Sequence, residues 1–169
     1  SDLVSTNALT RSHDIKINDV EIGASDSSSA AAKAIAINAV SSSTNVNASG
    51  DNLVTLTLNI SEASSAASNI SINGNAINFS TVTNEADTIT AINNASIGDI
   101  IASANSSGEV QLASASGADI VIAHAGTPGV FIDGHEDATG ATIAVGSSVT
   151  FKGQILLTHT AGDVIKISG

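Results

Sequence analysis

The densest set of groups able to do chemistry is "DGHED" at 133–137, where Asp133, Glu136 and Asp137 surround His135. Hard cations bind clustered oxygens, but the ordered twelve-residue ligand loop of an EF-hand is absent, so the stretch reads as a solvated acidic loop. His13, His124 and His159 sit in or beside strand-like stretches and, with Ser and Asp abundant, could be assembled on paper into a hydrolase triad. No G-x-S-x-G occurs, and triads are defined by spatial geometry rather than by composition, so the three histidines are expected at the surface. The glycines of "GDNLV" and "SGEVQ" belong to turns, and no phosphate-binding P-loop or G-x-G-x-x-G is present. Six N-x-S/T sequons (Asn47, Asn59, Asn69, Asn78, Asn94, Asn105) are little more than fifteen asparagines would meet by chance in a chain about a quarter Ser and Thr. No catalytic residue, cofactor or metal site is assigned.

Bulk properties exclude more. Sixteen acidic residues against five basic ones give a net charge of −11, which opposes binding to phosphate backbones and to anionic membranes. There is no Cys, Met, Trp or Tyr and there are only three Phe, so cores must be built from Ile, Val, Leu and Ala under a hydroxyl-rich skin. Without cysteine the redox compartment cannot be read. No apolar run reaches the roughly 20 residues that span a bilayer, and the first twenty residues lack the pattern of a secretory signal. Any export address is therefore expected outside this stretch.

The elements that would carry these residues repeat. "KINDVEIGAS" at 16–25 is echoed by "SINGNAINFS" at 71–80, and "AIN" at 36–38 by "AIN" at 91–93. Asn38 lies twenty residues after Asn18, as Asn93 does after Asn73, a repeat offset of 55 without a gap. Each copy opens with period-two alternation (Ile15, Ile17; Ile70, Ile72), turns, and forms a second short strand. Each then shifts to helical spacing. Asn84 is an N-cap with Glu85 and Asp87 in the first turn and Ala86, Ile89 and Ile92 on one face; Ala34, Ile37 and Val40 do the same behind Ser27, Ser28 and Ser29. Strands follow at 46–49 and 53–60 in the first copy and at 99–104, 109–114 and 119–124 in the second. After Thr127-Pro128 come "GVFID", "ATIAV", "SVTF", "QILLTH" and "VIKIS", with no helical period. The fold class expected is α+β, mostly β: two β-β-α-β-β units and a C-terminal all-β segment.

The strand, the "IN" or "ING" turn, the helix ending in "AIN" and the following "V-x-A" strand resemble the flagellin hook IN motif of bacterial flagellins and related cap and hook-associated proteins. The resemblance rests on Ile17, Asn18, Ile37 and Asn38 in one copy and Ile72, Asn73, Gly74, Ile92 and Asn93 in the other, and spans most of residues 15–104. Asp19 departs from the pattern where the second copy has Gly74, although Asp also tolerates turn geometry.

The resemblance implies the outward-facing variable region of a flagellin, extracellular on the filament surface, without catalytic activity. Long heptad-like ends are not present in this stretch, so its partners would be other flagellin subunits held through terminal regions beyond it, and the stretch alone would be monomeric. Nested flagellin domains further imply that residues 1–60 pair with 127–169 as an inner domain, 61–68 being a link and 69–126 an outer domain, with the chain ends close together. The resemblance also implies O-linked sugar, for which the runs at 27–29, 41–44 and 106–107 are the candidate sites. The central domain of a cap or hook-associated protein, acting as a binding module, is the alternative.

Overall fold

The computed structural model describes residues 7–56, 70–125 and 146–169, without the side chain of His13. The expected link at 61–68, the strands at 129–133 and 141–145, the end of the 53–60 strand and residues 133–137 lie outside them. The described chain is α+β and mostly β, with antiparallel sheets and short helices. It forms two units: 1–51 with 115–119 and 152–169, and 52–114 with 120–151.

Unit 1 opens with the hairpin β1 (Lys16–Ile17) and β2 (Val20–Glu21). Its turn residues Asn18 and Asp19 have φ of 49° and 65°, the paired left-handed geometry of a two-residue hairpin turn. Helix α1 (Ala30–Asn38) follows, its first turn capped by the Ser29 hydroxyl accepting from the Ala32 N–H at 3.2 Å. The short helix α2 (Ser41–Thr44) then leads into β3 (Val46–Leu56). Residues 46–51 of β3 pair antiparallel with β10 (Gln154–His159), and β11 (Ile167–Ser168) returns to pair with β1. The core joins Ile15, Ile17, Ile22, Ala34, Ile37 and Val46, with Ile155 and Leu157 packed against it.

Unit 2 repeats that order along 70–114 and 120–124. The hairpin is β4 (Ile70–Ile72) and β5 (Asn75–Ala76), turning at Asn73 and Gly74 with φ of 47° and 79°. Helix α3 (Glu85–Asn94) is capped by Asn84, whose Oδ1 accepts from the Asp87 N–H at 2.9 Å. Then come β6 (Ile100–Ala104), its antiparallel partner β7 (Val110–Ser114), and β8 (Ile120–His124), which pairs with β4. The equivalence reaches single hydrogen bonds: Ile22 N–H to Ile15 C=O in one hairpin, and Ile77 N–H to Ile70 C=O, 55 positions on, in the other. Ile70, Ile72, Ile77, Phe79, Ile92, Leu112, Ile120 and Ile122 share the core. Two outer strands lie beyond the repeat: residues 52–56 of β3 pair with β7, and β9 (Ser147–Phe151) pairs with β8.

Several expectations change. The strands expected at 46–49 and 53–60 are one strand as far as Leu56, because Gly50 lets the backbone of 116–117 pass close by. A Cβ there would stand 2.3 Å from the Ser116 carbonyl oxygen, so only glycine keeps the strand running. The second strand of copy one is therefore supplied by β10, and the strand that returns to its hairpin by β11. Residues 52–56 and β9, placed by the sequence with the inner segments, belong to unit 2, while 115–119 belong to unit 1. Val149 and Phe151 account for β9: they join the unit 2 core. On α3 the inward side chains are Thr88 and Ile92, flanked by Ile89, whereas Ala86 is exposed.

Candidate functional site

The nine residues that carry the repeat are the feature the fold uses most consistently. Ile17, Ile37, Ile72 and Ile92 are each at most 1% exposed, two in each core. Burying one such side chain contributes about 1.5–3 kcal/mol, so the isoleucines fix which face of hairpin and helix turns inward.

The four asparagines act on backbone. Asn18 and Asn73 are in left-handed conformation, which swings their own C=O out of line with the neighbouring strand. Each side chain takes its place. Asn73 N–H donates to the Val121 C=O at 2.8 Å while Asn73 Oδ1 accepts from the Val121 N–H at 2.7 Å. Asn18 N–H donates to the Lys166 C=O at 2.9 Å and Asn18 Oδ1 accepts from the Lys166 N–H at 2.9 Å. Asn18 Nδ2 adds a bond to the Thr44 C=O at 2.8 Å. The hairpin thus gains one more rung to the returning strand than its backbone alone supplies.

Asn38 and Asn93, at the ends of α1 and α3, clamp the strand that follows. Asn93 Nδ2 donates to the Ala102 C=O at 2.9 Å, and Asn93 Oδ1 accepts from the Ala102 N–H at 2.8 Å. Asn38 holds Ala48 in the same way, at 2.8 and 2.7 Å. Ala102 sits opposite Leu112 in β7, and the bonded positions alternate with it, since Asn105 N–H bonds the Glu109 C=O three residues on. Its N–H and C=O therefore point away from β7. The same holds for Ala48, which faces away from β10 because Thr160 N–H bonds the Asn45 C=O. A carboxamide offers one donor and one acceptor in the spacing of a peptide group. Each asparagine consequently stands in for the strand that is missing at that edge.

Other groups with chemical potential resolve into structure. Lys152 Nζ lies 2.6 Å from Asp119 Oδ2 and 3.0 Å from Ser28 Oγ, tying the 115–119 segment into unit 1. An ammonium whose protons go to a carboxylate and a hydroxyl offers that hydroxyl no lone pair, so the trio is a clasp rather than a nucleophile with its base. His159, expected at the surface, has a side chain only 8% exposed, and its Nδ1 accepts from the N–H groups of Ala161 and Asp163 at 3.2 Å each, which caps the turn after β10. Its 3.9 Å approach to the Asp163 carboxylate adds little beside those two bonds. His124 was expected at the surface and is buried, because it continues the inward alternation of Ile120 and Ile122. His135 and the acidic run around it lie outside the described residues, as does the side chain of His13. Among the described residues no three His, Cys, Asp or Glu side chains converge as a metal site. None of the described helices is long and apolar enough to cross a membrane.

The four asparagines stand out in the sequence by their spacing, which points to a turn at Asn73 and to no task for Asn38 and Asn93. The signal was present: each helix-ending asparagine is followed nine or ten residues later by a small buried Ala in a strand, Ala102 or Ala48. Nothing in the sequence marks Lys33, which is 2% exposed on α1. No family model matches the chain, and no curated protein matches its sequence.

Proposed function

We propose that this chain is the surface-exposed variable region of a bacterial flagellin, a structural module that sets the thickness, charge and antigenicity of a filament rather than performing a catalytic step. The observation that carries the reading is the duplicated use of the IN residues: Ile17, Ile37, Ile72 and Ile92 fill cores, and Asn18, Asn38, Asn73 and Asn93 complete sheets. The motif residues are spent on scaffold, as a projecting module requires.

Two further features agree. Unit 1 is assembled from 7–51, 115–119 and 152–169, so the first and the last described residues belong to the same unit, as they would in a domain that carries another. The charge of −11 gives a hydrated, mutually repelling exterior suited to a filament that must not bundle. Export and the flagellar location belong to the same proposal, with assembly through terminal regions outside this stretch.

The test is mass spectrometry of filaments sheared from the source cells and digested by a protease that cuts after Asp and Glu, since only five Lys and Arg are present. Peptides from both units at the abundance of the main filament subunit would support the reading. Recovery at the far lower abundance of a cap or hook-associated protein would favour a binding module at the filament tip. Their absence from the filament fraction would overturn both.

A further inference from the structure

The two hairpins meet the strand that returns to them in the same register, and only one of those returning strands is covered. Ile17 stands opposite Ile167 as Ile72 stands opposite Ile122, and Lys166 exchanges its bonds with Asn18 as Val121 does with Asn73. In unit 1, β11 is therefore the counterpart of β8 in unit 2. Their burial differs. Ile120 and Ile122 are buried, whereas Ile165 is only partly buried and Ile167 is 48% exposed, although the Ile17 it faces is fully buried. The source of the difference is β9, which lies along the far edge of β8 and sets Phe151 beside Ile120 and Val149 beside Ile122. Among the described residues nothing lies along the far edge of β11, which ends its sheet. Because Lys166 bonds toward β1, the N–H and C=O groups of Ile165 and Ile167 point the other way and have no bond among the described residues.

We propose that unit 1 is completed by one more strand of its own polypeptide, downstream of Gly169, which pairs antiparallel with β11 as β9 pairs with β8. Unit 2 supplies the reason for this occupant over a second copy or a foreign peptide: β9 is the next described strand along the chain after β8, and successive strands are neighbours in most sheets. The register of unit 2 also specifies the strand. One apolar residue faces Ile167 and a second, two positions later, faces Ile165, in the places of Val149 and Phe151; the residue between them, like Thr150, turns outward. A bulky side chain suits the second place, since the described core of unit 1 holds no aromatic residue where that of unit 2 has Phe79 and Phe151.

The added strand closes an edge that is otherwise open to chance pairing, and it ties the chain leaving unit 1 to the sheet it has just left. The proposal rests on the part of the functional reading that sets this stretch within a longer subunit, and not on that subunit being a flagellin.

The test compares amide exchange in the full subunit, isolated as an unassembled monomer, with that in the 169-residue chain. The Ile165 and Ile167 amides should exchange at least about 100-fold more slowly in the subunit, while the Lys166 amide, bonded to Asn18 in both, serves as the control. Ile167→Asp should lower the melting temperature of the subunit by several degrees and that of the 169-residue chain by much less, because there the side chain is half exposed. Equal exchange at 165 and 167 in the two chains, protection that appears only when subunits assemble, an equal loss from Ile167→Asp in both, or a subunit that ends at Gly169 would each overturn the proposal. Protection in a subunit that never enters filaments would support the added strand and refute the flagellar reading.

Discussion

Replacing Asn93 by alanine removes both bonds that hold the free edge of β6 and leaves its helix in place. The Asn93 carboxamide reaches the Ala102 N–H at 2.8 Å and its C=O at 2.9 Å, and Ala102 is 3% exposed. Two neutral hydrogen bonds contribute about 1 kcal/mol each, and more where the stranded groups stay dry. Alanine favours the helix over asparagine by about 0.5 kcal/mol, which offsets part of the loss. The expected net destabilisation is about 1.5–2.5 kcal/mol, a sizeable share of the stability of a small domain. Urea denaturation would read it as a lower midpoint with an unchanged slope. Asn94→Ala is the control, since that neighbouring exposed residue makes no such contact, and it should be nearly neutral.

Asn93→Asp sharpens the test. It keeps the acceptor for the Ala102 N–H but sets a carboxylate oxygen against the Ala102 C=O, which favours the protonated acid and raises its pKa in the folded state. A group whose folded pKa is raised binds its proton more tightly in the native state, so its penalty shrinks as pH falls toward that of an ordinary Asp, about 3.9. Relative to the parent chain, Asn93→Asp should therefore recover stability between neutral pH and about pH 4. If Asn93→Ala unfolds within about 0.5 kcal/mol of the parent, or Asn93→Asp shows no recovery, the strand-replacing role of this asparagine is wrong.

Gly50→Ala drives a Cβ to 2.3 Å from the Ser116 carbonyl oxygen, where backbone must move, and should cost about 2 kcal/mol or more, lowering the melting temperature by several degrees. Asp87 is held below the ordinary carboxylate range chiefly by the Thr83 hydroxyl at 2.6 Å, then by the Thr83 N–H at 3.0 Å. A depressed pKa stabilises above the unfolded value and is lost as pH falls through the folded one, so the first turn of α3 should fray in acid, detectable as faster amide exchange. Thr83→Val should move the NMR titration of Asp87 upward, and an unmoved titration would contradict the assignment of cause. Filaments displaying this domain should disperse best at low salt and bundle as ionic strength passes about 0.1 M, measured by light scattering; the reverse order would refute the repulsive role of its acidic surface.

Local pattern carried much of this fold. Ser29 and Asn84 announce α1 and α3 because a cap's effect is confined to one turn, and the isoleucine alternation at 15–17 and 70–72 marks both hairpins. The return of β11 to β1, some 150 residues away, leaves no trace in any window, since antiparallel register depends on what the rest of the chain brings near. For the same reason the 53–60 stretch looked like the end of copy one, although its described part serves the second unit. The asparagines were visible as a spacing, but their bonds to Ala48, Ala102, Val121 and Lys166 are tertiary facts. His124 failed as a surface expectation because histidine is polar by type, while alternation in β8 decided its face.

The most direct test of the functional account is immunogold electron microscopy of the source cells with antibody raised against this chain. Gold along the whole length of the flagellar filament is the predicted result. Gold confined to the filament tip would assign the chain to a cap, and intact filaments without gold would contradict the account.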